Sequence, residues 1–127
     1  VVMGSGFNAN IALIEALCRK GDMVFMDELY HASGVMATNF ESVNVVFFKH
    51  NDMEELKNLL KQYSDAKRKI IAVEGIYSMD GDLCDAKVFE IADKVDALLI
   101  VDEAHSSGVI GDSLMGVFDY YKIEVKP

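Results

Sequence analysis

Leu-Leu-Ile-Val-Asp-Glu-Ala-His-Ser-Ser-Gly, residues 98–108, is the stretch that indicates how this chain folds. Its four leading aliphatic residues predict a strand that is buried on both faces of a parallel sheet. Asp102, Glu103 and His105 follow in a short loop that Gly108 closes. Because ligands of open α/β sheets bind at the carboxyl ends of the strands, an acid and an imidazole placed there indicate a binding site. A solvated acidic loop without a ligand is the alternative interpretation.

The same change from apolar run to polar loop recurs along the whole sequence. Strands are predicted at residues 1–3, 23–26, 43–48, 70–73 and 98–101. Helices are predicted after the turn at residues 4–8, over residues 32–40, after Asp52 and after Asp85, from apolar positions spaced three and four apart. This alternation requires crossover connections, so we expect a three-layer α/β/α fold with a mainly parallel sheet. No linker interrupts it, and residues 1–127 are interpreted as a single partial domain without an internal boundary.

The composition excludes several classes of partner. A formal net charge of -9 argues against a nucleic acid or an anionic membrane surface. Cys18 and Cys84 show neither disulfide nor metal-ligand spacing, so we expect no metal site and a reducing compartment. No apolar run reaches the length of a membrane span, and no signal peptide is evident. The expected location is the cytoplasm or an organelle matrix.

Both ends of the sequence indicate a piece of a longer protein. Val1 to Met3 reads as the end of a strand, and Lys126-Pro127 closes no predicted element. We therefore expect that this chain is a fragment.

The turn Gly4-Ser5-Gly6-Phe7-Asn8-Ala9 leads from the first predicted strand into a helix. Helix N-termini bind anions through their free amides, so the turn is a candidate site for one phosphate monoester. Gly4, Gly6 and Ala9 also fit the dinucleotide pattern, with Asp27 at the distance of a ribose-binding acid. A small-residue turn without any ligand is the third possibility.

Several other polar residues follow predicted strands. His31 comes just after the second strand, and Glu74 and Ser78 follow the fourth, so all three are expected at the same crevice. His50 follows the third strand and is interpreted as structural, because Asn51-Asp52 is explained by helix initiation. The letters Asp-Glu-Ala-His also occur in a helicase motif. That motif needs a phosphate loop with a lysine, which the glycine turn does not contain.

Taken together, these motifs resemble the α-oxoamine synthase family of pyridoxal-phosphate (PLP) enzymes. The resemblance implies the large domain of the fold type I, aminotransferase class I/II proteins. The matching segments run in family order along the chain: Ser5-Gly6-Phe7 with Ala9-Asn10, His31-Ala32-Ser33, His50-Asn51-Asp52, Glu74 with Ser78-Met79-Asp80-Gly81-Asp82, and Val101-Asp102-Glu103-Ala104-His105.

The resemblance implies a role for individual residues. The amides of Gly6 and Phe7 would hold the cofactor phosphate, and His31 would stack on the pyridine ring and hydrogen-bond the acyl group. Asp102 would pair with the pyridine nitrogen and keep it protonated, which makes the ring an electron sink. His105 and Ser78 would lie near the phenolic oxygen of the ring, with Glu74 as an indirect support. These cofactor-binding residues, with His31 also catalytic, are the expected site.

The family resemblance also implies an activity and its limits. The full enzyme, expected to be a homodimer, would condense an amino acid with an acyl-CoA, usually with decarboxylation. The family's Schiff-base lysine is expected beyond Pro127, since Lys122 and Lys126 lack its sequence context, so the fragment alone is expected to be inactive. Relatives usually carry a glycine and a basic residue where this chain has Leu114-Met115. The alternatives are another fold type I enzyme, an aminotransferase or a lyase, or a non-catalytic Rossmann-like nucleotide-binding module.

Overall fold

The computed structural model describes residues 1–40 and 42–124. Helices and strands alternate along them in the order α1 (Gly6–Leu17), β1 (Met23–Asp27), α2 (Ala32–Ala37), β2 (Val45–Phe48), α3 (Met53–Gln62), β3 (Lys69–Glu74), α4 (Lys87–Lys94), β4 (Leu98–Asp102) and α5 (Val117–Tyr120). Asp52 caps α3 as expected, and Ser5 caps α1. Asp85, expected to cap α4, is not its N-cap: that position is Ala86, and the Asp85 carboxylate accepts a hydrogen bond from the amide of Lys87.

The four strands form one parallel sheet in the order β2-β1-β3-β4. The strands end in register, with Asp27 opposite Phe48 and Glu74 opposite Asp102. All carboxyl ends therefore lie along one edge, which is the arrangement that the sequence predicts for a site.

The core lies on both faces of this sheet. Phe25, Ile71 and Val73 point to one face, where they pack with apolar residues of α3 and α4. Val24, Met26, Ile70, Ala72 and Ile100 point to the other face, where they pack with residues of α1 and α2 such as Ile14 and Ala37. The predicted three-layer α/β/α architecture is confirmed. In the described part of the chain, no helix is long and apolar enough to cross a membrane.

Some predicted elements are wrong or shorter than expected. Residues 1–3 form no strand and are exposed, because no described strand offers them a ladder partner. The prediction that β4 is buried on both faces is also wrong. Leu98 is 46% exposed and Ile100 alone in this strand is buried, since β4 is an edge strand of the described sheet. The helix predicted over 32–40 ends at Ala37, and the strand predicted over 43–48 begins at Val45.

Candidate functional site

The strand ends place acidic side chains on the two faces of the sheet. Side chains alternate along a strand, so Glu74 and Asp102 point to the face covered by α1 and α2, whereas Asp27 points to the face covered by α3 and α4. The sheet edge therefore carries two separate polar clusters. Glu74 and Asp102, both predicted site residues, lie in the cluster on the α1/α2 side.

Asp102 is held by a hydrogen-bond network that reaches His31. The side-chain amide of Asn10 donates to Asp102 Oδ2 at 2.7 Å and to Ser33 Oγ at 3.1 Å. Ser33 Oγ lies 2.7 Å from His31 Nδ1, and Tyr30 Oη donates to Asn10 Oδ1 at 2.8 Å. Asp102 Oδ1 accepts the amide of Ala104 at 2.9 Å. The network joins α1, α2 and β4 at one point of the sheet edge.

The N-terminus of α1 lies beside the same cluster. The hydroxyl of Ser5 accepts the amide of Asn8 at 3.1 Å, and its carbonyl accepts the amide of Ala9. The first-turn amides of Gly6 and Phe7 thus remain for an acceptor outside the helix, and both residues are exposed. The Phe7 ring meets the His31 ring edge-on at 6.4 Å between centroids. The predicted anion site at the start of α1 is therefore next to His31, which contacts it through the ring of Phe7.

Glu74 is a buried carboxyl next to Asp102. It is 1% exposed, and its Oε2 has no hydrogen-bond partner among the described residues. Burial, followed by the negative charges of Asp102 and Asp27, raises the pKa of Glu74 to about 7. Glu74 therefore takes up a proton near neutral pH.

Ser78 and His31 border one open groove. The groove has a volume of about 550 Å³ and lies between the β1–α2 connection and the loop after β3, lined by Glu28–Ala32, Val35, Met36, Ser78 and Met79. Ser78 is exposed in it, while His31 is half-buried. The structure therefore brings these two predicted residues to a common cleft.

The loop after β4 carries His105 and Glu103 into different surroundings. His105 is exposed and takes no part in the contacts that join the other described site residues. Glu103, which the sequence places in the same loop, does not enter the crevice. Its carboxylate accepts the amide of Val117 at 3.0 Å and the hydroxyl of Ser106. Glu103 thus anchors α5, and Gly108, at φ 80°, turns the chain as predicted.

The opposite face of the sheet carries a tether centred on His50. Its Nδ1 lies 3.0 Å from Asp27 and its Nε2 lies 2.6 Å from Asp82, and its ring meets Tyr77 edge-on at 4.4 Å. Burial lowers the pKa of His50, but hydrogen bonds to Asp82 and Asp27 outweigh burial and raise it. These contacts agree with the interpretation of His50 as structural.

Asp27 is not available to a nucleotide ribose. It is fully buried, and its carboxylate accepts hydrogen bonds from the amides of Leu29 and Asn51 besides facing His50. The glycine turn therefore lacks the ribose-binding carboxylate that a dinucleotide site requires.

Three buried residues that connect the site, Asn10, Ser33 and Tyr30, are not among the site residues predicted from the sequence. Asn10 lies one helical turn beyond Gly6 and Phe7, and a buried asparagine requires hydrogen-bond partners. An asparagine among the apolar residues of α1 was the available signal. Lys122 pairs with Asp112 and Asp119, and Lys126 lies outside the described residues.

The parallel α/β sheet and its polar edge define a class of cofactor-binding α/β proteins. The family model "Aminotransferase class I and II" matches residues 1–125, and the chain belongs to this family. The resemblance to the α-oxoamine synthases is confirmed by individual relatives. The chain is 45% identical over 127 residues to 8-amino-7-oxononanoate synthase of Helicobacter pylori, covering 99% of this chain and 34% of that protein.

Solved structures agree with this assignment. A serine palmitoyltransferase from S. paucimobilis, described with bound PLP, superimposes with a TM-score of 0.92 at 34% identity, covering 98% of this chain and 32% of that one. The 8-amino-7-oxononanoate synthase from Francisella tularensis gives a TM-score of 0.74 at 32% identity, covering 95% and 34%. The fold type I prediction is therefore confirmed. The chain spans about a third of the length of the curated relatives it matches.

Proposed function

We propose that residues 1–127 are the central cofactor-binding part of a PLP-dependent acyltransferase of the α-oxoamine synthase type. The full enzyme would condense an amino acid with an acyl-CoA, usually with decarboxylation. The observation that carries this proposal is the network Asp102–Asn10–Ser33–His31, which joins a carboxylate and an imidazole beside the free amides of α1. A nucleotide module does not require a carboxylate held in this way.

The chemistry of these residues fits the two ends of PLP. The amides of Gly6 and Phe7 are free donors at a helix N-terminus, where a phosphate is favoured without basic side chains. Asp102 offers a half-buried carboxylate at the other end of the cluster, which can hold a proton on a pyridine nitrogen. When bound, PLP supplies an electron sink for a carbanion, and a protonated ring nitrogen is what makes it effective.

The remaining predicted residues complete the proposed site. His31, which contacts Phe7 and borders the groove, would stack on the pyridine ring and hydrogen-bond the acyl group. Ser78 and His105, both exposed beyond strand ends, would reach the phenolic oxygen. Glu74 would act indirectly, because its charge lies beside Asp102.

The proposal extends to the assembly and location of the enzyme. Relatives of this type imply a homodimer with amino acid and acyl-CoA as substrates, and neither a nucleic acid nor a membrane as partner. The free thiols of Cys18 and Cys84, both buried, are consistent with a reducing compartment, the cytoplasm or an organelle matrix.

Titration of the chain with PLP, followed by absorbance and fluorescence, tests the proposal. We expect saturable binding that Asp102→Asn weakens by about tenfold to a hundredfold, because a hydrogen bond to a charged group contributes about 1.5–3 kcal/mol. Asp65→Asn, an exposed aspartate outside the site, is the matched control and should bind like the wild type. Saturable binding of a nicotinamide nucleotide in place of PLP, or equal effects of the two variants, would contradict the proposal.

Reduction with borohydride in the presence of PLP tests the expectation about lysine. We expect no specifically labelled lysine in the 127-residue chain, since no lysine of the described residues lines the groove of His31 and Ser78 or joins the network of Asp102. A single stoichiometric label would overturn this expectation without affecting the binding test.

A further inference from the structure

The hydrogen bonds around Asn10 allow only one arrangement of donors and acceptors. The Asp102 carboxylate can only accept, so the atom of Asn10 that lies 2.7 Å from it must be the amide nitrogen. Asn10 Oδ1 then faces Tyr30, whose hydroxyl must donate. Burial, then the charges of Asp102 and Glu74, raises the pKa of Tyr30, which keeps this hydroxyl protonated. The orientation of Asn10 is thus determined by its neighbours.

The hydrogen bonds between Asn10 and His31 also allow only one arrangement of protons. Ser33 Oγ accepts the second amide proton of Asn10 at 3.1 Å, so its own proton is left for His31 Nδ1, 2.7 Å away. The backbone amide of Ser33 independently donates to the same nitrogen at 3.1 Å. A backbone amide cannot accept, so Nδ1 must be unprotonated, and in the neutral imidazole the proton lies on Nε2.

Burial makes this arrangement obligatory. Asn10 is 8% exposed, Tyr30 3% and Ser33 fully buried, so water does not replace a missing partner without cost. Each polar atom of the Asn10 side chain has a partner. The carboxylate at one end and the backbone amide of Ser33 at the other require the same assignment of donors and acceptors, with Asn10 donating to the carboxylate and to Ser33, and Ser33 donating to His31.

We propose that Asn10 is a positioning residue that orients Asp102 and, through Ser33, holds His31 as the Nε2–H tautomer. The imidazole then offers a single N–H donor to the groove that it borders. The significance of this for the cofactor rests on the proposed function, whereas the arrangement of protons does not.

Nitrogen NMR of the cofactor-free chain tests the arrangement of protons. The chain has three histidines, so the ring of His31 can be assigned by comparison with His31→Gln. Above neutral pH we expect a single tautomer for His31, with an unprotonated Nδ1 and a protonated Nε2. A protonated Nδ1, or a mixture of the two tautomers, would overturn the proposal.

A double-mutant cycle tests whether Asn10 acts through Asp102. We expect Asn10→Ala to weaken PLP binding by about tenfold in the wild-type background, but to have little further effect in an Asp102→Ala background. A merely structural Asn10 would cause the same loss in both backgrounds, and that result would overturn the proposal. Asn58→Ala, the same substitution at an exposed position of α3, is the control and should leave binding unchanged.

A second variant and a stability measurement test the role of Asn10 independently of how well Asn10→Ala folds. If Asn10→Ala does not fold, Tyr30→Phe removes only the hydroxyl that orients Asn10, and it should weaken PLP binding only where Asp102 is present. Urea unfolding of the cofactor-free variants should show that Asn10 and Asp102 are not additive in stability. Additive losses of stability would refute the contact between Asn10 and Asp102. A wild-type chain that binds no PLP would instead refute the proposed function, and the unfolding and NMR results would then decide this inference.

Discussion

Replacement of Glu74 by glutamine should change how the stability of the chain depends on pH. Glu74 is 1% exposed, lies opposite Asp102 in the strand register, and has an ordinary pKa of 4.5 that the fold raises to about 7. Between these two values the folded chain keeps a proton that the unfolded chain has lost. Stability therefore falls as the pH rises through this window, and it stays low above it.

The size of the effect follows from this difference in pKa. Each pH unit between the folded and unfolded values corresponds to about 1.4 kcal/mol, so ionised Glu74 lowers the free energy of unfolding by about 3 kcal/mol above pH 7. Glutamine has nearly the shape of the protonated carboxyl and does not ionise. We expect Glu74→Gln to resemble the wild type near pH 4.5 and to be more stable by about 2–3 kcal/mol near pH 8.

Urea unfolding at a series of pH values between 4.5 and 8.5 provides the measurement. The quantity of interest is the difference between wild type and Glu74→Gln, because other titrating groups contribute equally to both. Glu15→Gln, at an exposed position of α1, is the matched control and should run parallel to the wild type at every pH. Parallel curves for Glu74→Gln and the wild type would refute the raised pKa and with it the proposed influence of Glu74 on Asp102.

Three further substitutions test local features of the fold. Leu114 has φ 55° and is exposed, so Leu114→Gly should stabilise the chain by about 1 kcal/mol and raise its melting temperature; a lower temperature would contradict the strained turn. Gly34→Ala would push a methyl group into the ring of Tyr30 and should cost about 1–3 kcal/mol in urea unfolding, so an unchanged midpoint would be inconsistent with that contact. His50→Gln should destabilise the chain most at pH 6 and less as the pH rises through the raised pKa of His50, since protonated His50 stabilises the fold through its two carboxylate partners; a loss that does not vary with pH in unfolding curves would argue against this tether.

The turn at Leu114 has a backbone conformation that the sequence does not predict. The family resemblance implies a glycine where this chain has Leu114, so the sequence alone leaves the conformation of this turn open. The backbone keeps the left-handed conformation that glycine favours, with φ 55° at Leu114. Neighbouring contacts, such as the hydrogen bond from the Gly108 amide to the Leu114 carbonyl at 2.8 Å, impose this conformation against the preference of the residue.

The sequence alone is enough to derive the parallel α/β fold and most of the proposed site. Apolar periodicity distinguishes strands from helices, and parallel strands bring residues such as His31, Glu74 and Asp102 to one edge whatever the details of packing. Which face each side chain occupies, and whether an end strand has a partner, depend on contacts between distant segments. For that reason residues 1–3 and the exposure of β4 differ from the prediction.

The network around Asn10 depends on three-dimensional packing most of all. Asn10 and Asp102 are 92 positions apart, and no local pattern records that the two side chains meet. Their contact arises because α1 packs across the sheet and leaves a buried amide in front of a half-buried carboxylate, where each satisfies the other. Periodicity locates the groups that can do chemistry, whereas close packing selects their partners and the direction in which each proton is donated.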